Sequence, residues 1–224
     1  MPRTNTNKKQ SKKYMALANF IYETNIHSKT PRSGFWFLGS GNQSVAEHLF
    51  HTAMIAYTLA HMEPKADKAK MIMMALFHDI GEGRTSDLNY VHQRYGRLSE
   101  SRAVADLAQS VPFGEEILSA YTEEQAKETL EAKLVKDADQ LELICMLREE
   151  QVKGNTKTAY WIETALMRLK TDSGKKLGQA LVETNPDAWW TDETDAWFVD
   201  RDREKQDWQV GKKSNKKSVK RLKK

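Results

Sequence analysis

Three features of the sequence predict an all-α fold. Apolar residues recur every three or four positions through most of the chain, no segment alternates apolar and polar residues as a strand does, and Ser44 stands at capping-box spacing before Glu47 where one periodic stretch begins. The chain has 224 residues, 39% of them hydrophobic, enough to bury one core. The expected organisation is a basic flexible tail over 1–13, one helical domain over 14–199 and a charged, Lys-rich tail over 200–224.

Taken in order, Tyr14, Leu17, Ala18, Ile21 and Tyr22 define an amphipathic helix ending near Ile26. Pro31 and Gly34 make the next segment a loop, and Ser40-Gly41-Asn42-Gln43-Ser44 reads as another. Ser44 precedes Glu47 at capping-box spacing, so a helix starts near Val45 and ends before Glu63-Pro64. A further helix is expected over Lys65 to His78, with Gly81 and Gly83 as its stop. Shorter ones follow over Ser99 to Gln109 and Gly114 to Gln125. The stripe Leu130, Leu134, Ala138, Leu141, Ile144, Cys145, Leu147 predicts a long buried helix over Lys127 to Glu150. A last pair covers Thr156 to Leu169 and Lys175 to Glu183, and Trp189, Trp190, Trp197 and Phe198 are expected to seal the core.

The net charge of +4 is local. Gly211 to Lys224 carries eight Lys or Arg and no acid, which leaves 27 bases against 31 acids elsewhere, a net of −4. The charge therefore marks a solvated tail rather than a basic domain, with weak contact to nucleic acid as its alternative role. No apolar run reaches the length of a membrane span, and Met1 to Lys13 lacks the apolar segment of a secretory signal. The lone Cys145 sits in an apolar run and allows no intrachain disulfide, so a cytoplasmic protein is expected.

Chemistry concentrates at Met74 to Asp87, where an apolar helix ends in His78-Asp79 and a glycine-punctuated polar cluster follows. His48 lies upstream near the start of one apolar helix, and Asp139 inside another. An Asp buried in an apolar helix needs a partner or a metal, and Asp139 is four residues from both Val135 and Leu143. Asp137 is the competing candidate. Two His and two Asp suit a divalent ion and can leave coordination positions open, as catalysis requires. Singly, each residue is also compatible with an ordinary core or surface role.

Together, Ser44-Val45-Ala46-Glu47-His48, His78-Asp79-x-x-Glu82 with Asp87-Leu88, and Lys136-x-Ala138-Asp139 resemble the HD-domain metal-dependent phosphohydrolases, closest in motif to their bacterial 5'-deoxynucleotidase group. The resemblance covers roughly Ala16 to Leu147. It implies a single HD-domain helical bundle with a metal site in its core, held by His48, His78, Asp79 and Asp139. The ion would be Mn²⁺ or Co²⁺, with Zn²⁺, Fe²⁺, Ni²⁺ or Mg²⁺ as alternatives. Glu82 would hydrogen-bond the water held there or the phosphate, and Asp87 would protonate the leaving oxygen or hold the sugar. Arg32 would clamp the phosphate, with Trp36, or its neighbour Phe35, the aromatic against the nucleoside. Relatives are often dimeric, so a homodimer is expected.

The implied reaction is removal of phosphate from a deoxynucleoside 5'-monophosphate. A near rival releases triphosphate from a deoxynucleoside triphosphate, using Arg84, His92, Arg94 or Arg97 for the longer chain. A rival of another class is a catalytically idle metal-bearing protein whose basic ends bind nucleic acid.

Overall fold

Helices make up the regular structure described by this computed structural model, which covers residues 5–191, with side chains from Gln10 onward. Among the described residues the only β-type pairing is one isolated antiparallel bridge, Pro31 with Ser44. The first unit spans Met1–Pro186. It contains α1 (Asn5–Thr24), a 3-10 turn (Asn25–Ser28), α2 (Phe35–Leu38), α3 (Val45–Met62), α4 (Lys68–Phe77), α5 (Glu82–Thr85) and α6 (Tyr90–Tyr95). There follow α7 (Glu100–Ala108), α8 (Gly114–Ala126), α9 (Leu130–Val152), α10 (Thr158–Arg168) and α11 (Asp172–Glu183).

The core forms where α3, α4 and α9 meet. Leu59, Met71, Met74, Leu134, Leu141 and Ile144 are fully buried there; α10 completes the layer with Ala165 and its C-cap Leu169, and α11 with the partly buried Leu177, Leu181 and Val182. A second cluster, Ile80, Val104, Leu107, Ile117 and Tyr121, packs α7 and α8 beneath the turn after α4. A third, Leu38, Leu147 and Ile162, ties α2 to α9 and α10. Each fully buried leucine is worth about 2–5 kcal/mol against truncation to Ala.

Side chains set the starts. Ser44 accepts from the Glu47 amide while the Glu47 carboxylate accepts from the Ser44 amide, a complete capping box on α3. Asp67 caps α4, so that helix begins at Lys68 rather than Lys65. Thr129 caps α9 and Thr171 caps α11 in the same way.

Several expectations need correction. The helix expected from Tyr14 begins at Asn5, inside the segment read as a tail, because Lys and Gln are good helix formers and no Pro or Gly interrupts them. Phe35 and Trp36 lie in a short helix rather than a loop. Gly81 and Gly83 do not stop α4 in a left-handed turn; they permit close approach. A Cβ on Gly83 would lie 2.8 Å from Ile26 and 2.9 Å from His27. The helix α6 was not anticipated. Asp187–Lys224 forms the second unit, described only to Thr191, where the Trp190 indole N–H donates to Asp187 Oδ1. Trp189 and Trp190, expected to seal the core, are 86% and 49% exposed; Trp197, Phe198 and the tail from 200 lie outside the described residues.

Candidate metal centre

Each suspected ligand comes from a different structural device. His48 occupies the first turn of α3, directly after the capping box; His78 is the C-cap of α4, Asp79 follows it in the turn, and Asp139 projects from the middle of α9. The helices converge so that His48 Nε2 lies 3.2 Å from His78 Nε2 and 3.4 Å from both Asp79 Oδ2 and Asp139 Oδ1. His78 Nε2 is 3.2 Å from Asp79 Oδ2. His48, His78 and Asp139 each offer a donor atom within 4.8 Å of the others.

The chemistry of this donor set fits a cation. His78 Nδ1 donates to the Ala75 carbonyl at 2.8 Å, and His48 Nδ1 to Glu142 Oε2 at 2.7 Å. With those N–H groups turned outward, two imidazole lone pairs and two carboxylates face one point, an arrangement that repels itself unless a proton or a metal ion sits there. The acids show that demand: burial resists protonation of His78, yet Asp79 and Asp139 lift its ring to about 9. Against their own burial, Asp79 is held well below the carboxylate range by His78 and His48, and Asp139 by Lys136 and both rings. Lys136 Nζ and the Gln140 amide occupy Asp139 Oδ2, at 2.6 and 3.1 Å, which leaves Oδ1 toward the cluster.

Around this cluster lies a cavity of about 370 Å³. Arg32 reaches it because two backbone hydrogen bonds, Arg32 N to Gln43 O and Val45 N to Thr30 O, fix its loop against the start of α3. Its guanidinium donates to Asp79 at 3.2 Å and lies 3.7 Å from Asp87. Asp87 Oδ2 accepts from the Ser33 amide at 2.6 Å and from the Ser33 hydroxyl at 3.0 Å. Glu82 also lines the cavity, buried, and its Oε2 has no hydrogen-bond partner among the described residues. Burial pushes its carboxyl up to about 9, aided by Asp79, Asp87 and Glu100 against the pull of Arg32.

The structure thus brings Asp79, Asp139, Arg32, Glu82 and Asp87 to the wall of one cavity, with His48 and His78 in contact with Asp79 beside it. Trp36 is not there: it is 62% exposed and meets His92 instead, while Phe35 and Trp161 supply the aromatic wall. Asp137 faces away, accepting from the Lys170 and Thr171 amides at the start of α11. Arg84 is tied to Glu23 at 2.5 Å and lies outside the cavity, as do His92, Arg94 and Arg97.

Sequence reasoning missed Glu142. Its carboxylate, 1% exposed, takes the His48 N–H, a hydrogen bond from Gln43 at 2.6 Å and a contact with His51, and despite burial these hold it down at about 2. The signal was available, since Glu142 is an acid within the same apolar run that makes Asp139 conspicuous. Glu100 had no comparable signal, because an acid opening a helix reads as an ordinary first-turn residue.

The sequence profile of the HD domain family matches residues 28–181. A curated 5'-deoxynucleotidase of Schizosaccharomyces pombe is 28% identical over 136 residues, covering 56% of this chain and 68% of that protein. One of Dictyostelium discoideum is 31% identical over 119 residues, covering 48% of this chain and 62% of that protein. The solved structure of a conserved hypothetical protein from Pyrococcus furiosus superposes with a TM-score of 0.62 at 29% identity, over 74% of this chain and 97% of that one. The matches span about two thirds of the curated relatives' own lengths.

Proposed function

This chain belongs to the HD domain family, and from that membership we propose that it is a metal-dependent phosphohydrolase that removes phosphate from deoxynucleoside 5'-monophosphates. The observation that carries this reading is the cluster of His48, His78, Asp139 and Asp79 with the Arg32 guanidinium and the buried, unpartnered Glu82 carboxyl beside it. His48, His78, Asp79 and Asp139 would hold one divalent ion, Mn²⁺ or Co²⁺ by preference, which supplies water activation and neutralises charge on the phosphoryl oxygens.

The remaining steps belong to this chain's own residues. Arg32 presents its planar fork to two phosphate oxygens, a geometry that favours a phosphoryl group over a neutral ligand. Asp87 holds the Ser33 backbone and so aims the loop that carries Arg32. Water attacks phosphorus, the bond from phosphorus to the 5'-oxygen breaks, and that oxygen must gain a proton as the deoxynucleoside leaves. Glu82 carries one at neutral pH and has an unpartnered oxygen in the cavity, so it is the donor. Phe35 and Trp161 take the nucleoside, the place the sequence assigned to Trp36.

The chain acts on a nucleotide, as a homodimer in the cytoplasm, with the Lys-rich tail as a weak nucleic-acid contact. Symmetric dimers are the commonest assembly, and no helix among the described residues is long and apolar enough to cross a membrane. Light scattering in solution tests the dimer. Phosphate release from a panel of ribo- and deoxynucleoside 5'-monophosphates, with Mn²⁺, Co²⁺, Mg²⁺ or Zn²⁺ and Asp79→Asn as control, tests the activity. Release that depends on metal and Asp79 is expected. Triphosphate released from deoxynucleoside triphosphates would instead support the rival hydrolase, and salt-sensitive nucleic-acid binding without any turnover would support the idle binding protein.

A further inference from the structure

A second cavity, of about 490 Å³, adjoins the metal cavity, and Tyr90, Gln93, Leu143, Trp161 and Arg168 line both. Its chemistry is opposite. Six carboxylates, those of Asp79, Glu82, Asp87, Glu100, Asp139 and Glu142, face the metal cavity, whereas no acid lines the second, which adds Arg94, Tyr160 and Thr164 to the shared wall. The first is built for a cation. The second, with two guanidinium groups, is built for an anion.

The wall between them is a side-chain chain running back to the metal site. Arg168 donates to the Tyr90 hydroxyl, its guanidinium carbon stands 5.1 Å over the Tyr90 ring, and Tyr90 meets Trp161 edge-on with centroids 6.3 Å apart. Arg168 also reaches Gln140 Oε1 at 3.4 Å, and the Gln140 amide donates to Asp139 at 3.1 Å. Through that one side-chain amide, Arg168 Nη1 lies no more than about 9 Å from Asp139 Oδ2. Among the described residues neither Arg168 nor Arg94 has a carboxylate within ion-pair distance, and both guanidinium groups share the second cavity with three aromatic rings. Tyr160, 73% exposed, stands on that wall.

Aromatic faces for a base and arginines for a phosphate are the two elements that bind single-stranded nucleotides without reading their sequence. We propose that this second cavity is a nucleotide subsite, taking a base and its phosphate from beyond the nucleotide whose 5'-phosphate meets the metal cluster. Its occupant is one chemistry with two sources: the 3'-linked unit of a short 5'-phosphorylated oligodeoxynucleotide, or a separate nucleotide. The proposal rests on the nucleotidase reading for the first source and is independent of it for the second.

Kinetics with thymidine 5'-monophosphate and with the 5'-phosphorylated thymidine dinucleotide separate the sources, beside equilibrium dialysis of thymidine 3'-monophosphate, which has no 5'-phosphate to lose. For a 3'-linked occupant, the dinucleotide has a KM roughly tenfold below that of the mononucleotide. Arg94→Ala and Tyr160→Ala then abolish the difference while leaving mononucleotide KM and kcat unchanged. For a separate occupant, the 3'-monophosphate binds the wild-type protein, is not displaced by inorganic phosphate, and is weakened by the same two variants. If no nucleotide is hydrolysed but that Arg94-dependent binding persists, the nucleotidase reading fails and the subsite stands. If neither the dinucleotide advantage nor 3'-monophosphate binding exists, or neither responds to Arg94→Ala and Tyr160→Ala, the subsite is overturned.

Discussion

Glu142 acts on the metal cluster without touching it. By accepting the His48 Nδ1–H at 2.7 Å it fixes the tautomer that turns the Nε2 lone pair inward. Glu142→Gln should therefore weaken metal binding by about 10- to 100-fold, with phosphate release recovered at high metal concentration; calorimetric titration of the metal-stripped protein reads this directly. Glu82 makes a prediction about pH. Its carboxyl rises from the ordinary 4.5 to about 9 in the folded chain, so between those values the folded state binds a proton that the unfolded state does not. That contribution to stability is complete below pH 4.5 and is lost as pH rises toward 9. In the metal-free protein Glu82→Gln should thus gain thermal stability over the wild type progressively from pH 5 to 9, by on the order of a few kcal/mol, while losing phosphate release. A constant difference across that range would show that the carboxyl does not titrate there. Ser86 carries strain of another kind: with φ 73° and ψ 159° it occupies a region that suits glycine, and it turns the chain so that Asp87 returns to the cavity.

The start of α3 was readable in the sequence because its capping box is a local device, satisfied within three residues. Ser44 and Glu47 locate the start of α3 and with it the first-turn position of His48. Ser44→Ala should cost about 1 kcal/mol, seen as a lower denaturant midpoint with an unchanged slope. Helix ends were less readable. Gly81 and Gly83 looked like stop signals, but the contact that requires Gly83 is with Ile26 and His27, some 55 positions earlier in the chain, and no local pattern encodes it. Gly83→Ala should therefore displace α5, the element carrying Glu82, and lower kcat more than metal affinity; equal loss of both would mean that the whole turn after α4 has moved. Trp36 was misplaced for a related reason. On a four-residue helix adjacent aromatics point in different directions, and only packing against α9 and α10 decided that Phe35 faces the cavity.

At the scale of the molecule, the four proposed ligands lie on α3, on the turn after α4 and on α9, so an ion bound there would tie together the helices that form the main core. Chelation should abolish phosphate release and lower Tm by roughly 5–10 °C when the ion had been present at about 100 times its Kd, and Mn²⁺ or Co²⁺ should restore both. Deleting Gly211 to Lys224 should leave phosphate release unchanged and remove any salt-dependent nucleic-acid binding, as a gel-shift titration across ionic strength would record. The sequence by itself determined the all-α class, most of the helices, and the residue types and spacing that put His48, His78, Asp79 and Asp139 forward as one site. It could do so because periodicity and capping are short-range, and because an acid placed in an apolar helix advertises its need for a partner. Tertiary structure alone decided that Glu142 orients His48, that Asp137 binds the backbone just ahead of α11 instead of joining the cluster, that Phe35 and Trp161 rather than Trp36 line the cavity, and that a basic aromatic pocket lies next to an acidic one. Those outcomes depend on how α3, α9 and α10 pack, and a side chain's neighbours across a helix interface are set by that packing and not by its neighbours in the chain.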